Sequence, residues 1–568
     1  MKAVFISKHL EVAKEVNQTD TEIHLFTQFF IHKQAHRNEE LRYCLNSNLL
    51  NPHLTKVHLL NERPYSTQEL GIEKIQFQVQ NRLVQHDTKG KRLTIQMVLQ
   101  YIREKSLKGY FIITNADIFL DRTIRYLKPS TLHEKKQALA LLRYEYKGGN
   151  DLSKCTLFGP RFDSQDTWIL HSNQMVKEDQ ERIFNFEFGK AGIDNKMIYL
   201  MRVLGYEVIN DPLNIKTYHF HRSIQRDYHG KEPIGQPWGL VSPAGVNPLT
   251  IPPSLGVNIA DVFKVTAGFQ TCMFDDNAFL FSYITKKLQD KEAFIIPRIA
   301  GIENNMAVFT KIKKDTGEKQ FDPYFQQTLP VMKRNAGIML TSPESLLAYS
   351  ELYLKAFQNC EIFGAWEIQG EVFKHIAQSH EYIRGQVAPN KRNIWAFVFD
   401  IFHYIYDPQC WTKSLQGKRL LIISPFVESI REKINIRTKI YDGVDIFPNC
   451  TFVFAKPPQT QGNQQSQDFQ VELNRFKGEL DQLKDQYDVA LVSCGGYGNL
   501  VCNYIFESHR KSAIYVGGVL QMYFGVLGGR WLKERPDVLR LFMNEHWSRP
   551  KESEKPNGCG QIENGCYW

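Results

Sequence analysis

No stretch of the 568-residue sequence holds eighteen consecutive apolar residues, so no transmembrane helix is predicted. A dense block of lysine and arginine is also missing. The net charge of +9 is spread along the chain, which argues against a nucleic-acid partner and suits phosphate-bearing substrates or peripheral contact with an anionic membrane face. Residues 1–10 carry Lys2, Lys8 and His9 around a short apolar patch, far from the core of a signal peptide. The ten cysteines show neither metal-ligand spacing nor the density of a disulfide scaffold. Cys494 with Cys502, and Cys559 with Cys566, are therefore read as reduced thiols, and a cytoplasmic home is expected. What is present, 42% hydrophobic and 12% aromatic residues, is a globular composition on a chain long enough for two or three domains.

The most informative stretch is Phe111-Ile112-Ile113-Thr114-Asn115-Ala116-Asp117-Ile118-Phe119-Leu120-Asp121. Its apolar start reads as a buried strand of a parallel sheet, and in open α/β sheets such strands end at the ligand crevice. Asn115 and Asp117, two apart on an extended chain, would project oxygens to one side. Hard oxygen ligands at a strand end suit Mg²⁺ or Mn²⁺ bridging phosphates. An Asx turn closing a core strand is the plainer account.

Around it, Ile23–Phe30 and Lys56–Glu62 are predicted strands, Lys74–Val79 a short third strand, and Arg37–Leu50 a helix with Leu41, Cys44, Leu45 and Leu49 on one face. Lys91-Arg92-Leu93-Thr94 opens the helix that feeds the acidic strand, so Arg92 is placed to meet a diphosphate or to be a solvated helix residue. Leu139–Tyr144 is another strand. Gly189–Gly192 turns into an Asn195–Leu204 helix, with Asp194 as its expected N-cap. Alternation along Thr217-Tyr218-His219-Phe220-His221 sets both histidines on one strand face, where one would complete the shell of an ion at Asp117 or pack in the core.

These elements, taken with Leu25-Phe26-Thr27-Gln28, Asn61-Glu62, Ser164-Gln165-Asp166-Thr167-Trp168 and Asp194-Asn195, resemble a GT-A-fold glycosyltransferase domain over residues 1–230. The kind is that of bacterial and large-virus surface-glycan genes. The resemblance implies that Asn115-Ala116-Asp117 stands for the Asp-x-Asp element holding a divalent ion on a nucleotide diphosphate, with Asn in the first place. Asp117 is then a ligand, Asn115 faces the ribose or a water, and Thr27 lies at the nucleotide. His219 or His221 is implied as the late histidine ligand, and Asp166 or Asp194 as the base that deprotonates the acceptor hydroxyl.

Recurrent Pro and Gly mark residues 231–268 as a linker. Beyond it, in residues 269–568, predicted strands and helices alternate again, with a mobile Gln-rich loop at residues 459–467. Asp488–Cys494 reads as a strand running into Gly495-Gly496-Tyr497-Gly498, where backbone amides approach a diphosphate or the chain simply turns tightly. The spacing is not Gly-x-Gly-x-x-Gly, so no dinucleotide site is predicted. Arg298-Ile299-Ala300-Gly301-Ile302-Glu303 and the late glycine strand ends resemble GT-D-fold glucosyltransferases of bacterial glycoprotein pathways. The resemblance implies phosphate contacts at Arg298, Gly495, Gly496 and Gly498 and a catalytic carboxylate at Glu303. Gly301 stands where that family has the first carboxylate of its Asp-x-Glu element, which puts metal dependence and activity of this half in question. The tail ending Cys-Tyr-Trp is expected to pack back on this half, with Trp547 and Arg549 either lining its cleft or belonging to a simply docked apolar tail.

The expectation is an α/β chain of two Rossmann-like nucleotide-binding domains, GT-A-like then GT-D-like. It would be a bifunctional, metal-dependent hexosyltransferase using UDP- or GDP-sugars and a glycan or glycoconjugate acceptor. The alternatives are an active first domain fused to an inactive carbohydrate- or partner-binding module, or a sugar nucleotidyltransferase. The latter expects a Gly-rich, Lys-bearing loop after the first strand, which Thr27-Gln28-Phe29-Phe30 does not supply.

Overall fold

Apolar runs with no exposed side set the frame of the first half. The computed structural model describes residues 21–159, 161–222, 234–235, 238–244, 271–366 and 374–568. Two units emerge, Met1–Thr271 and Cys272–Trp568, and both are α/β with largely parallel sheets.

The first unit contains β1 (Ile23–Thr27), β2 (Lys56–Asn61), β3 (Leu83–Asp87), β4 (Tyr110–Thr114), β5 (Ile118–Leu120), β6 (Gln137–Leu141), β7 (Tyr144–Tyr146), β8 (Thr156–Leu157), β9 (Thr167–His171), β10 (Glu207–Ile209) and β11 (Thr217–Phe220). Its main helices are α1 (Ala35–Leu50), α2 (Ile95–Glu104) and α3 (Ile193–Val203). A seven-stranded sheet runs β10-β6-β9-β4-β1-β2-β3. β1 lies parallel to β2 and β4, and β2 to β3. β9 runs antiparallel to β4 and β6, and β10 is parallel to β6. One edge therefore collects the carboxyl ends of the parallel strands and the amino end of β9. Thr27, Asn61, Asp87, Asn115 and Asp166 all fall there. All five side chains of β4 are buried, and burial of large aliphatic or aromatic side chains contributes roughly 1.5–3 kcal/mol each.

The predicted strand at Lys74–Val79 is not one. Phe77–Gln80 makes a helical turn, because the Gln80 amide donates to the Ile72 and Ile75 carbonyls at 3.0 and 2.7 Å, and the third strand comes later as β3. The Leu139–Tyr144 strand divides into β6 and β7, with β7 in a second sheet of order β5-β11-β7-β8.

Most of the expected linker at 231–268 lies outside the described residues. The part that is described belongs to the first unit. Ile234, Gly239 and Val241 donate backbone N–H groups to the Ala191, Asn195 and Phe162 carbonyls at 2.9, 2.8 and 3.1 Å, so this strap crosses the start of α3. Gly239 is required there, since a Cβ would stand 2.6 Å from the Tyr199 nitrogen.

The second unit contains β12 (Ile295–Ile296), β13 (Ile362–Ala365), β14 (Arg392–Trp395), β15 (Arg419–Ile423), β16 (Thr451–Ala455), β17 (Val489–Val492) and β18 (Ser512–Tyr515). Five of them form an all-parallel sheet, β12-β18-β17-β15-β16, and β13 pairs with β14. Helix α4 (Ile302–Thr316) follows β12. The described cysteines are all free. The Gln-rich loop is anchored rather than mobile: Lys333 Nζ donates to the Gly462 and Gln464 carbonyls, both at 2.7 Å.

Glu554 is fully buried and accepts from the Glu428 and Ser429 backbone N–H groups, at 2.7 and 3.2 Å, and from the Ser429 hydroxyl. A charge buried with three donors is costly to delete, because the donors are then left unpaired. Glu554→Ala is expected to destabilise the second unit by about 3 kcal/mol. The check is thermal unfolding, and an unchanged midpoint would refute this stabilising role.

Candidate functional site

The break between β4 and β5 turns the chain through Asn115-Ala116-Asp117. β5 pairs antiparallel with β11, His219 opposite Ile118, and the Phe220 N–H bonds the Asp117 carbonyl at 2.9 Å. That register sets both histidines beside the Asp117 carboxylate. His219 Nε2 lies 3.2 Å and His221 Nδ1 3.6 Å from Asp117 Oδ2, and the two imidazole centroids are 5.5 Å apart. One ligand atom from each of the three falls within 4.8 Å of the other two. His221 Nε2 is buried with no hydrogen-bond partner among the described residues.

Asn115 and Asp117 do not share a side as the extended-chain argument predicted. The tight turn sends Asn115 Nδ2 to Asp166 Oδ1, at 2.8 Å, and Asp117 to the histidines. Asp166 is further held by Arg143 Nη1, and the same guanidinium donates through Nε to Glu145 Oε1 at 2.8 Å. Glu145 Oε2 in turn lies 3.3 Å from His219 Nδ1, which its opposition to His219 across β7 and β11 dictates. At the other end, Arg37 from the first turn of α1 bridges Asp117 and Glu40. The result is a chain of alternating charge, Asp166, Arg143, Glu145, His219, Asp117, Arg37 and Glu40.

This alternation sets the protonation states. Burial alone would raise the Asp117 carboxyl, but His219, His221 and Arg37 outweigh it and hold the group well below the ordinary carboxylate range. Burial would lower His219, yet Asp117 and Glu145 lift it to about 9. Glu145 falls to about 2 because His219 and Arg143 overcome its burial.

Asp194 behaves in the opposite way. It is not the cap of α3, a place taken by Gly192 in the left-handed region at φ 84°, but lies in the helix's first turn. Its oxygens accept from the Gln165 N–H at 3.4 Å and the Asn195 N–H at 3.1 Å. Burial first, and then the neighbouring Asp166 and Asp163 charges, raise it to about 7. A carboxyl balanced near neutrality can take up a proton during a reaction.

Thr27 and Asn61 close β1 and β2 at this edge, and Thr27 Oγ1 and Asn61 Nδ2 are buried without a partner among the described residues. Arg92 sits at the turn into α2 and donates to the Phe188 carbonyl at 2.9 Å, beside the Gly189–Gly192 turn. No family model matches the chain. No curated protein matches it either. Among solved structures, similarity is found to GalNAc-T7 with UDP, GalNAc and Mn²⁺, at 11% identity and a TM-score of 0.26 over 37% of this chain and 45% of that one. S. aureus TarS 1-349 in complex with UDP-GlcNAc matches at 10% identity and 0.26, over 36% and 60%. The mannosyltransferase PcManGT from Pyrobaculum calidifontis, with GDP-Man and Mn²⁺, matches at 12% and 0.24, over 38% and 63%. The chain thus spans less than two thirds of the length of each.

The second unit has its own concavity, a cavity of about 420 Å³ at the carboxyl edge of its sheet. Arg298, Glu303 and Gly495 line it. Gly496 and Gly498 serve packing instead: a Cβ at either would fall 2.4 Å from Ile338 Cγ1 or 2.3 Å from the Tyr515 ring. Glu303 is half-buried in the first turn of α4, and desolvation, with Glu563 nearby, raises it to about 7. No ion pair joins Arg298 to Glu303 among the described residues. Of the two readings of Trp547, docking holds and cleft lining does not: it is buried with its Nε1 on the Ile440 and Phe542 carbonyls at 3.0 and 3.1 Å, and neither it nor Arg549 is on the cavity wall. Tyr567 and Trp568 take that place.

Sequence reasoning missed Arg37, Glu40, Arg143 and Glu145. Arg143 and Glu145 sit one residue to either side of Tyr144, at the bend where β6 gives way to β7, a break that the sequence reads through as one continuous strand.

Proposed function

We propose that the first unit transfers a sugar from a nucleotide-diphosphate sugar, a UDP- or GDP-sugar, to a hydroxyl of a glycan or glycoconjugate. The observation that carries this is the convergence of Asp117, His219 and His221 just past the carboxyl end of β4, where β5 pairs with β11. Two imidazoles and a carboxylate match Mn²⁺ better than Mg²⁺, which favours an all-oxygen shell. A divalent ion held by these three neutralises the charge of a departing diphosphate when bound.

The remaining steps fall to side chains. Asp194, as carboxylate, takes the proton of the acceptor hydroxyl while that oxygen bonds to the anomeric carbon and the bond from that carbon to the diphosphate oxygen breaks. Asp166 is tied to Arg143 and Asn115, which suits it to positioning and leaves Asp194 as the base. Thr27, Asn61 and Arg92 are placed along the same edge to meet the nucleotide. The second unit is read as a second sugar-transfer domain on the same chain, where proximity raises the effective concentration of the intermediate glycan.

Calorimetric titration of the chain with UDP- and GDP-sugars tests the reading. A saturable signal present with Mn²⁺, weaker with Mg²⁺ and absent from the first unit in EDTA is expected. Failure of every donor to bind in Mn²⁺ would refute it.

A further inference from the structure

The cavity of the second unit is not built like the site around Asp117. Its volume, about 420 Å³, is that of a small-molecule pocket. The carboxylates on its wall are Glu303 and Glu563, and Glu563 is committed to Arg530 Nη2. Glu303 stands alone with Gly301 two residues before it, and the elevated proton affinity of its carboxyl keeps it a poor cation ligand near neutrality. Among the described residues the one cluster able to grip an ion is that of Asp117. The donor set here does not fit a divalent metal.

Positive charge is supplied in another way. Arg298 and Arg530 both line the wall, Arg530 with its Nη2 already on Glu563 and its other donors left for a ligand. Arg298 lies 4.6 Å from the Trp366 ring centroid and donates Nη1 to the Val516 carbonyl at 2.7 Å. Gly517, at φ 78°, leaves room for it, since a Cβ there would meet Arg298 Nη1 at 2.5 Å. A guanidinium carries five N–H donors, and the Val516 backbone carbonyl is the one acceptor this guanidinium has among the described residues. Two residues of the wall, His380 and Trp568, each also carry a buried ring nitrogen, Nε2 and Nε1, without a partner among the described residues. His380 is neutral, its pKa lowered to about 4 by burial, so it adds no charge to the wall and the arginines supply the positive side chains there. Phe426, Tyr515 and Tyr567 supply flat apolar surface for a ring.

We infer that this cavity binds a nucleoside diphosphate, free or as a diphospho-sugar, with Arg298 and Arg530 holding the phosphates in place of a divalent ion. The inference rests on the reading of the second unit as a sugar-transfer domain and replaces its metal requirement with arginine. Guanidinium pairs phosphate oxygens bidentately, which gives both charge and orientation.

The test titrates UDP into the whole chain and into its Asp117→Ala variant, each in EDTA. One saturable site is expected in both, with an affinity unchanged when Mn²⁺ is restored to the Asp117→Ala chain. Arg298→Gln and Arg530→Gln are each expected to weaken it at least tenfold, while Arg298→Lys retains part of the binding. Thermal unfolding of each variant separates lost binding from lost folding. UDP binding by the Asp117→Ala chain that appears only with Mn²⁺ would overturn the arginine assignment but keep a second nucleotide site. No UDP binding by that chain under either condition would overturn the second sugar-transfer domain itself. Equal affinity in the folded Arg298→Gln and Arg530→Gln variants would overturn the role of the guanidinium groups.

Discussion

Asp117→Ala is expected to abolish the Mn²⁺-dependent part of donor binding and to lower sugar transfer at least a thousandfold. The size follows from what the carboxylate does. It is the anionic ligand of the trio, and charge stabilisation by a bound metal amounts to several kcal/mol, about 1.4 kcal/mol for each factor of ten. The substitution also strands protonated His219 and Arg37 beside each other, because both now lean on Asp117 Oδ2. Some loss of stability is therefore expected as well. Asp117→Asn controls for this, keeping the volume and the acceptor oxygen while removing the charge. Donor titration with and without Mn²⁺, followed by a transfer assay, reads the outcome. A metal-dependent signal that survives both substitutions would remove the ion from Asp117 and take the proposed chemistry with it.

The second large effect belongs to Asp194. Loss of a general base costs 10²–10⁴ in rate, so Asp194→Asn is expected to lower kcat within that range with little change in donor affinity. Wild-type kcat should fall about tenfold per pH unit below about 7, the value to which burial and the Asp166 charge raise this carboxyl, because only the ionised form accepts the proton. The limb should vanish in the Asn variant. Stability gives an independent sign. A carboxyl raised on folding favours the folded state at low pH, and that contribution disappears as pH climbs through about 7. Asp194→Asn should thus be at least as stable as wild type at pH 8. A variant that keeps full kcat would transfer the base role elsewhere; one that unfolds at pH 8 would mark Asp194 as structural.

Much of this geometry was legible in the residues, for identifiable reasons. Alternation along β11 is a local property, so the shared face of His219 and His221 could be read from spacing two alone. The five-residue apolar run of β4 needed no partner to declare itself. What spacing does not encode is how two strands register. The turn that separates Asn115 from Asp117 depends on the Phe220 N–H reaching the Asp117 carbonyl, a contact spanning about a hundred residues of sequence. Arg37 was invisible for the same reason, appearing as an ordinary first-turn residue until α1 docks over β5. In the second unit, Gly496 and Gly498 carry the composition of a phosphate loop, but the close approach of Ile338 and Tyr515 accounts for them by packing.

The strap formed by residues 234–235 and 238–244 has a practical corollary for anyone preparing the first unit by itself. Cutting after residue 230, where composition suggests a boundary, would strip away Gly239 and Val241 and remove their hydrogen bonds to the Asn195 and Phe162 carbonyls, at the start of the helix that carries Asp194. Water would then enter beside that carboxyl, its proton affinity would drop toward that of a surface aspartate, and a fragment that looked inert would be reporting the position of the scissors. A fragment carried through residue 244 keeps the covering segment and is the one to assay.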